Sequence, residues 1–254
     1  MDIIEYQNKT NENRHPWELA RLEVVYSFMS KYFTNNAKIN ILDVGCGDTF
    51  VVSEMHKKML VAQFHAIDTA FTNKMIEEFQ VDGISLYKTI DELESKIEKA
   101  DLVLLMDVIE HIENDKGFLV DLVNKKFIHP ETLFLITVPA YQSLFSVHDE
   151  FLKHFRRYSR KKLSNTLKDT GFEIIESGNF FSSLLAPRLL SITKEKLFGK
   201  RETKGLAEWK GSEKQSRLLK EILLLDFKTT NTIQRLGIKL PGLSTYALCR
   251  KSVS

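Results

Sequence analysis

The chain has 254 residues, of which 43% are apolar and 28% are charged, and its formal net charge is +2. This length suffices for one large α/β domain with additions, and so small a net charge does not indicate nucleic-acid binding. Residues 1–14 carry no recognisable signal peptide, and no apolar run approaches the roughly 18 residues of a membrane span. Two cysteines, Cys46 and Cys249, form no disulfide framework, so we expect free thiols in a cytoplasmic protein.

Strand-like runs alternate with helical patterns along most of the chain. A first helix is predicted over 16–33, with proline in its first turn. The predicted strands are 39–44, 61–67, 84–88, 102–106, 132–138, 172–177 and 244–250. The predicted helices are 50–59, 73–79, 90–98, 115–126 and 160–170, and a long helical stretch covers 183–235. This alternation predicts a mostly parallel sheet with helices on both faces.

A glycine loop follows the first predicted strand. Gly45, Cys46 and Gly47 come directly after it, and Asp43 precedes them. The glycines allow a ligand to approach the backbone closely, and the next helix offers unpaired N–H groups. Asp43 would repel a pyrophosphate, and the dinucleotide fingerprint fails because Phe50 stands where its third glycine belongs. The loop therefore favours a nucleoside ligand with a cationic amino-acid tail over NAD.

The spacing Asp43-x-Gly45-x-Gly47 resembles motif I of the class I S-adenosylmethionine (SAM)-dependent methyltransferases, although Thr49 replaces the usual third glycine. The resemblance covers about residues 38–180. It implies a Rossmann-like seven-stranded sheet whose last strand inserts antiparallel after a helical insertion. It also implies SAM as the cofactor and S-adenosylhomocysteine (SAH) as the product.

Two further strand ends carry residues for such a cofactor. Asp68 lies 21 residues after Gly47, where an acidic residue holds a ribose diol. Residues 104–112 are similar to the family's motif IV, which implies that Asp107, Val108 and His111 lie near the methionine part of the ligand.

Other cofactor contacts are predicted less directly. Thr89, after the third strand, is expected near the adenine edge. Trp17 and Arg21 share one face of the first helix, and many family members carry a similar helix over the cofactor. A tryptophan there could cover the sulfonium and an arginine could pair with the carboxylate. The alternative is that Trp17 anchors the helix to the core and Arg21 is solvated.

The acceptor side is predicted after the fifth strand. In residues 137–158, His148 with Asp149 beside it is the leading candidate for a general base, and His154 is the second. No metal is expected, since His148, Asp149 and His154 are the only possible ligands there. Asp149 pairing structurally with an arginine is the alternative to a catalytic role. The candidate substrate-binding residues are Tyr141, Arg156, Arg157 and Tyr158, with the two arginines suited to a phosphate or carboxylate.

A basic insertion precedes the last strand. Residues 188–220 contain ten Lys or Arg and four Glu, a local balance of 10 − 4 = +6. Such a segment could meet an anionic membrane surface or a lipid-linked acceptor; a solvated lid or a dimer contact is the alternative. We predict an N-terminal helical cap over 1–37, a methyltransferase domain over 38–254, and an insertion or lid over 181–243.

Taken together, these features predict a SAM-dependent methyltransferase, with O-methylation of a small-molecule or glycan- or lipid-linked acceptor. It would act as a monomer or homodimer without nucleic acid. A non-catalytic SAM-binding scaffold or sensor is the first alternative, because Thr49 departs from the motif. A nucleotide-dependent oxidoreductase is the second, and Phe50 argues against it.

Overall fold

A computed structural model of the protein describes residues 3–7, 13–199 and 209–252, with only the backbone of residues 4 and 5. The strands are β1 (Asn40–Val44), β2 (Gln63–Ile67), β3 (Ile84–Tyr87), β4 (Leu102–Met106), β5 (Leu133–Pro139), β6 (Phe172–Phe180) and β7 (Ser244–Lys251). The α-helices are α1 (Ile3–Gln7), α2 (Pro16–Met29), α3 (Phe50–Lys58), α4 (Asn73–Glu78), α5 (Asp115–Val123), α6 (Val147–Phe151), α7 (Arg160–Asp169), α8 (Leu185–Phe198) and α9 (Glu213–Arg235).

All seven strands form a single sheet in the order β3-β2-β1-β4-β5-β7-β6. Strands β1 to β5 pair in parallel, and β7 lies antiparallel between β5 and β6. The predicted Rossmann-like sheet and the antiparallel insertion of its last strand are therefore confirmed. Strand order reverses direction at β1 and β4, which places a crevice beyond the carboxyl ends of these two strands.

Two hydrophobic clusters cover the two faces of the sheet. Side chains of β1 alternate between them, with Ile41 on one side and Leu42 on the other. The first cluster receives buried residues of α2, α3 and α9, and the second receives those of α5 and α7. Strand β4 is buried along its whole length, as expected for a central parallel strand with helices on both faces.

Two predicted helices differ from the structure. The helix predicted over 90–98 is only a 3-10 turn, Ile90–Leu93, because Leu93 alone in that turn is buried and so short a helix needs tertiary packing. The helical stretch predicted over 183–235 is two helices, α8 and α9. Residues 200–208 of that prediction lie outside the described part of the chain.

Helix α9 packs its buried face, including Leu223 and Phe227, against α2 and the sheet. The insertion is thus joined to the N-terminal helix. None of the described helices is both long and apolar enough to span a lipid bilayer. Cys46 and Cys249 are both buried free thiols, as the sequence suggested.

One buried histidine makes stability depend on pH. His65 on β2 is 5% exposed, and its Nε2 lies 3.2 Å from Asn40 Oδ1. Burial lowers the pKa of His65 to about 4, below the roughly 6.5 of an unfolded histidine. The unfolded chain therefore binds the proton more readily, and the stability that neutral His65 confers is lost as the pH falls from about 6.5 towards 4.

We predict that the wild-type protein loses about 2 kcal/mol more free energy of unfolding between pH 7 and pH 5 than His65→Gln does. Urea denaturation of both proteins at the two pH values measures this difference, and all other titrating groups cancel in the comparison. Equal losses for the two proteins would contradict the prediction.

Candidate active site

A cavity of about 770 Å³ lies at the carboxyl ends of the parallel strands. The last residues of four strands form its floor: Val44, Ile67, Met106 and Pro139. Residues from the start of α2, from α6 and from α8 also line it, so the N-terminal helix and the insertion both contribute walls. The predicted site residues that line it are Trp17, Arg21, Gly45, Cys46, Gly47, Asp68, Asp107, Val108, His111, His148, His154 and Arg157.

The glycine loop forms one wall of the cavity. Gly45 and Gly47 have φ of +73° and +60°, conformations that favour glycine. A Cβ on Gly45 would lie 2.7 Å from Val108 Cγ2. Thr49, where the motif usually has glycine, also has a left-handed φ of +59°. Thr49 thus adopts a left-handed conformation that favours glycine, at a cost of about 1–2 kcal/mol for a residue with a Cβ.

Asp68 orders this loop from the end of β2. Its Oδ2 accepts a hydrogen bond from the Gly47 N–H at 2.9 Å, and its Oδ1 accepts one from the Ala70 N–H at 2.9 Å. The half-buried carboxylate also lines the cavity. It can therefore fix the loop and still accept hydrogen bonds from ligand hydroxyls.

Asp43 lies behind the loop rather than on the cavity wall. Its carboxyl is fully buried, and neither oxygen has a hydrogen-bond partner among the described residues. Burial raises the pKa of Asp43 to about 7, and the charge of Arg21 partly opposes this. A buried acid without a partner is costly. A cationic ligand in the adjacent cavity would favour its ionised form, so this environment fits the sulfonium and ammonium groups of SAM.

Helix α2 reaches the cavity through Trp17 and Arg21. The Arg21 guanidinium lies 4.6 Å from the centre of the Trp17 ring and pairs with the Asp107 carboxylate. Asp107 has a φ of +58°, and Thr137 Oγ1 donates a hydrogen bond to its Oδ1 at 3.3 Å. Arg21 is thus held by Asp107 at the cavity wall, and the alternative of a solvated arginine does not describe the structure.

Asp149 is the centre of a buried charge network beside the cavity. Its Oδ1 accepts from Arg157 Nε at 2.7 Å and lies 2.9 Å from His154 Nδ1. Its Oδ2 accepts from an Arg188 amino group at 2.8 Å and from the Ser146 N–H at 3.0 Å. Burial alone would raise the pKa of Asp149, but the His154 hydrogen bond and the two guanidinium charges hold it well below its usual value.

Two histidines of the acceptor segment face the cavity differently. Asp149 pairs with His154 and not with the adjacent His148. Because an ionised carboxylate can only accept a hydrogen bond, the proton is assigned to His154 Nδ1. His148 lines the cavity, and burial together with the charge of Arg188 lowers its pKa to about 4. His148 is therefore a neutral imidazole at pH 7.

The turn after β4 brings a third group to this wall. Glu110 is 0% exposed, it lines the cavity, and neither of its carboxyl oxygens has a hydrogen-bond partner within residues 3–7, 13–199 and 209–252. Burial, and then the charge of Asp107, raises the pKa of Glu110 well above its usual range. The rings of His111 and His154 meet edge to face with centroids 4.5 Å apart. One donor atom each from Glu110, His111 and His154 lies within 4.8 Å of the others.

Several predicted site residues lie outside the cavity lining. Thr89 is exposed, and its hydroxyl donates to Glu92 at 3.2 Å, so the structure does not place it at a cofactor pocket. Arg156 pairs with Asp115 at 3.0 Å. The fully buried Tyr158 donates its hydroxyl to the same Asp115. Tyr141, Asp149 and Asp43 are likewise absent from the wall.

Sequence reasoning gave no role to two residues of this region. Glu110 stands inside the motif IV segment, and the available signal is an acid that directly follows the apolar pair Val108 and Ile109. From the sequence, Arg188 belongs to the basic surface of the insertion. In the structure its side chain is only 13% exposed and pairs with Asp149. Its partner lies 39 positions earlier, so no local pattern indicates the pairing.

Comparison with known proteins agrees with this geometry. Residues 14–177 match the family model described as a methyltransferase domain. A ubiquinone biosynthesis O-methyltransferase of Rickettsia canadensis is 29% identical over 174 residues, which cover 61% of this chain and 72% of that protein. Its counterpart in Rickettsia felis is 31% identical over 122 residues, 46% of this chain and 48% of that protein. The chain thus spans only about half the length of some relatives.

Solved structures show the same fold. The plantazolicin methyltransferase BamL, in complex with a triazolic desmethylPZN analog and SAH, aligns with a TM-score of 0.55 over 94% of this chain and 86% of that one, at 15% identity. The family match covers more than half of the chain. The protein therefore belongs to the methyltransferase-domain family, and it is a class I SAM-dependent methyltransferase.

The glycine loop yields a direct test. We predict that Gly45→Ala lowers SAH affinity at least tenfold, about 1.4 kcal/mol, and costs about 1–3 kcal/mol of stability. The added Cβ would suffer an unfavourable φ and would meet Val108 at 2.7 Å. Isothermal titration and urea denaturation measure the two effects.

Gly237→Ala is the matched control, because Gly237 has a φ of +89° but no atom lies within 4 Å of the place that an added Cβ would occupy. It should lose stability through φ alone and keep its SAH affinity. Equal affinities for the two variants would show that the loop does not approach the ligand closely.

Proposed function

We propose that this methyltransferase transfers the methyl group of SAM to a hydroxyl oxygen of a small molecule with an apolar body. The observation that carries the proposal is the continuity of one cavity, which joins the glycine loop of Gly45 and Gly47 to the imidazoles of His148 and His154. Cofactor and acceptor can therefore lie next to each other in one cavity, as direct methyl transfer requires. The names of the Rickettsia relatives, ubiquinone biosynthesis O-methyltransferases, support oxygen as the methylated atom.

We assign the cofactor end to residues from four places: the ends of β1, β2 and β4, and helix α2. We assign the ribose hydroxyls to Asp68, the backbone approach to the glycine loop, and the cover over the cofactor to Trp17 of α2. Asp107 and Arg21, paired with each other, border the amino-acid tail. SAM, when bound, supplies an electrophilic methyl group on a sulfonium, a good leaving group, so positioning is the main task of these residues.

The acceptor end has a different character. Ile112, Phe118, Leu152, Leu184 and Leu243 supply apolar wall, which suits an apolar or aromatic body. The guanidiniums of Arg157 and Arg188 are both bound to Asp149. They are therefore engaged in the protein's own network, and recognition of an acceptor phosphate or carboxylate by Arg157 is not favoured.

His148 is the residue to which we assign the proton of the acceptor hydroxyl. It lines the cavity as a neutral imidazole and is positioned by the Ser146 cap of α6, where Ser146 Oγ accepts from the His148 N–H at 3.3 Å. The oxygen takes the methyl group as the carbon–sulfur bond breaks, and SAH is left. Without removal of the hydroxyl proton this oxygen is a poor nucleophile.

We expect His148→Gln to lower kcat/KM for a hydroxyl acceptor about 10²–10⁴-fold while SAH affinity stays within about twofold. The measurement is SAH formation with a panel of phenols and catechols, and with amines of the same shape for comparison. His129→Gln is the control. The His129 ring is hydrogen-bonded to the Glu98 carbonyl and does not line the cavity.

Full turnover by His148→Gln would remove His148 from the mechanism. Turnover of amines alone would contradict O-methylation. SAH binding without turnover of any acceptor would favour the non-catalytic SAM-binding scaffold.

We also propose that α8 rests on an anionic membrane surface, where an apolar acceptor would be concentrated. Leu190, Leu197 and Phe198 are exposed on this helix, and Lys194 shares the face of Leu190 and Leu197 at helical spacing. Lys196, which directly precedes Leu197, is also exposed. Apolar side chains flanked by lysines are typical of an interfacial helix.

The test is co-sedimentation with phosphatidylcholine vesicles with and without phosphatidylserine. We expect binding only to the anionic vesicles, weakening with salt, and at least about fivefold lower in Leu190→Ser/Leu197→Ser because two apolar anchors are lost. The matched control is Leu236→Ser/Ile238→Ser, which changes two comparably exposed residues beyond α9. Equal loss in both double variants, or no anionic preference, would contradict a docking role for α8.

A further inference from the structure

Glu110, His111 and His154 form a compact set of oxygen and nitrogen donors on the cavity wall. One ligand atom of each lies within 4.8 Å of the others. The sequence predicts no metal. This set shares only His154 with the group His148, Asp149 and His154, whose members are close in the sequence. It lies where we place the acceptor hydroxyl.

The local structure holds these donors together. Glu110 and His111 belong to the 3-10 turn Ile109–His111, directly after β4. The Phe155 N–H donates to the Glu110 carbonyl at 2.8 Å, which fixes the residue next to His154 against that turn. The set is therefore pre-organised by backbone contacts between two separate segments.

Two observations besides proximity indicate a ligand. The Glu110 carboxyl is 0% exposed and lines the cavity, yet neither oxygen has a hydrogen-bond partner in the part of the chain that the structure describes. A buried carboxyl of this kind is costly unless something pairs with it. His154 donates its Nδ1 proton to Asp149 at 2.9 Å, which leaves Nε2 as a lone-pair donor, the usual carboxylate–histidine arrangement behind a metal ligand.

We propose that Glu110, His111 and His154 bind a divalent transition-metal cation of the zinc type. Two imidazoles and one carboxylate are a donor set that suits such ions and leaves a coordination position open. Donor atoms around a four-coordinate zinc lie roughly 3.3 Å apart, so donor distances of up to 4.8 Å would shorten by up to about 1.5 Å when the ion binds. Asp149, which also anchors Arg157 and Arg188, then acts as the positioning residue of His154.

Because all three donors line the cavity, the open position would be accessible to an acceptor hydroxyl there. A bound cation lowers the pKa of a coordinated hydroxyl and orients its oxygen. This inference rests on the proposed function, because it gives the same acceptor site a cation. His148 remains outside the cluster and available for the hydroxyl proton.

The test is titration of tag-free, chelator-treated full-length protein with Zn²⁺ by calorimetry, and with Co²⁺ by visible absorption. We expect saturation at one ion per chain and a visible Co²⁺ band of low-symmetry coordination. Glu110→Gln and His154→Gln should each weaken binding at least tenfold, about 1.4 kcal/mol. Asp149→Asn should weaken it about 10–100-fold through loss of the support behind His154.

His148→Gln is the matched control, because it removes an imidazole from the same cavity but not from the donor set; its affinity should stay within about twofold of the wild type. Circular dichroism and SAH titration on each variant show that the fold is retained. If Asp149→Asn fails to fold, the two direct variants still decide the question.

The inference is overturned if no saturable site appears, or if Glu110→Gln and His154→Gln bind the ions as the wild type does. SAH binding without metal binding would reject the cation site and leave the proposed function intact. Stoichiometric metal binding without methyl transfer to any hydroxyl acceptor would reject the proposed function and leave the cation site.

Discussion

The buried carboxylate of Asp149 is the group on which the His154 side of the cavity depends. It accepts hydrogen bonds from His154, Arg157 and Arg188. The first two residues lie in the segment between α6 and α7, and the third lies on α8. Removing Asp149 would leave the buried guanidiniums of Arg157 and Arg188 without their counter-charge, typically at a cost of about 3–5 kcal/mol. The network joins α8, through Arg188, to His154 on the cavity wall, so α8 has a fixed position relative to that histidine.

The glycine-loop side of the cavity depends on a different constraint, the path of the backbone through that loop. Gly45 and Thr49 both have positive φ, and Asp68 holds the loop through the Gly47 N–H. The loop is therefore shaped by hydrogen bonds to its backbone as much as by its glycines. Thr49 therefore takes a left-handed φ of +59° at the position where the motif has its third glycine.

Most of the sheet could be predicted from the sequence because its strands carry strong local signals. Strand β4, Leu102–Met106, is a continuous apolar run that was predicted to the residue, and the acid Asp68 follows β2 at the distance expected for a ribose contact. The helix predicted over 90–98 failed because helix length there is decided by packing, and only Leu93 of its first turn is buried. The sequence assigns no role to Glu110, because the free-energy cost of its unpaired carboxyl is evident only once its complete burial is known.

The sequence by itself determined the class of the protein, since motif I, Asp68 and the motif IV segment depend on short-range spacing at strand ends. Only the tertiary structure decided which acidic and basic groups pair. Asp149 is bound to His154 rather than to the adjacent His148, and Arg188 turns inward instead of joining the basic surface. The physical reason is that a buried carboxylate pairs with the groups that the fold brings within hydrogen-bond distance. Residue spacing along the sequence does not predict those distances.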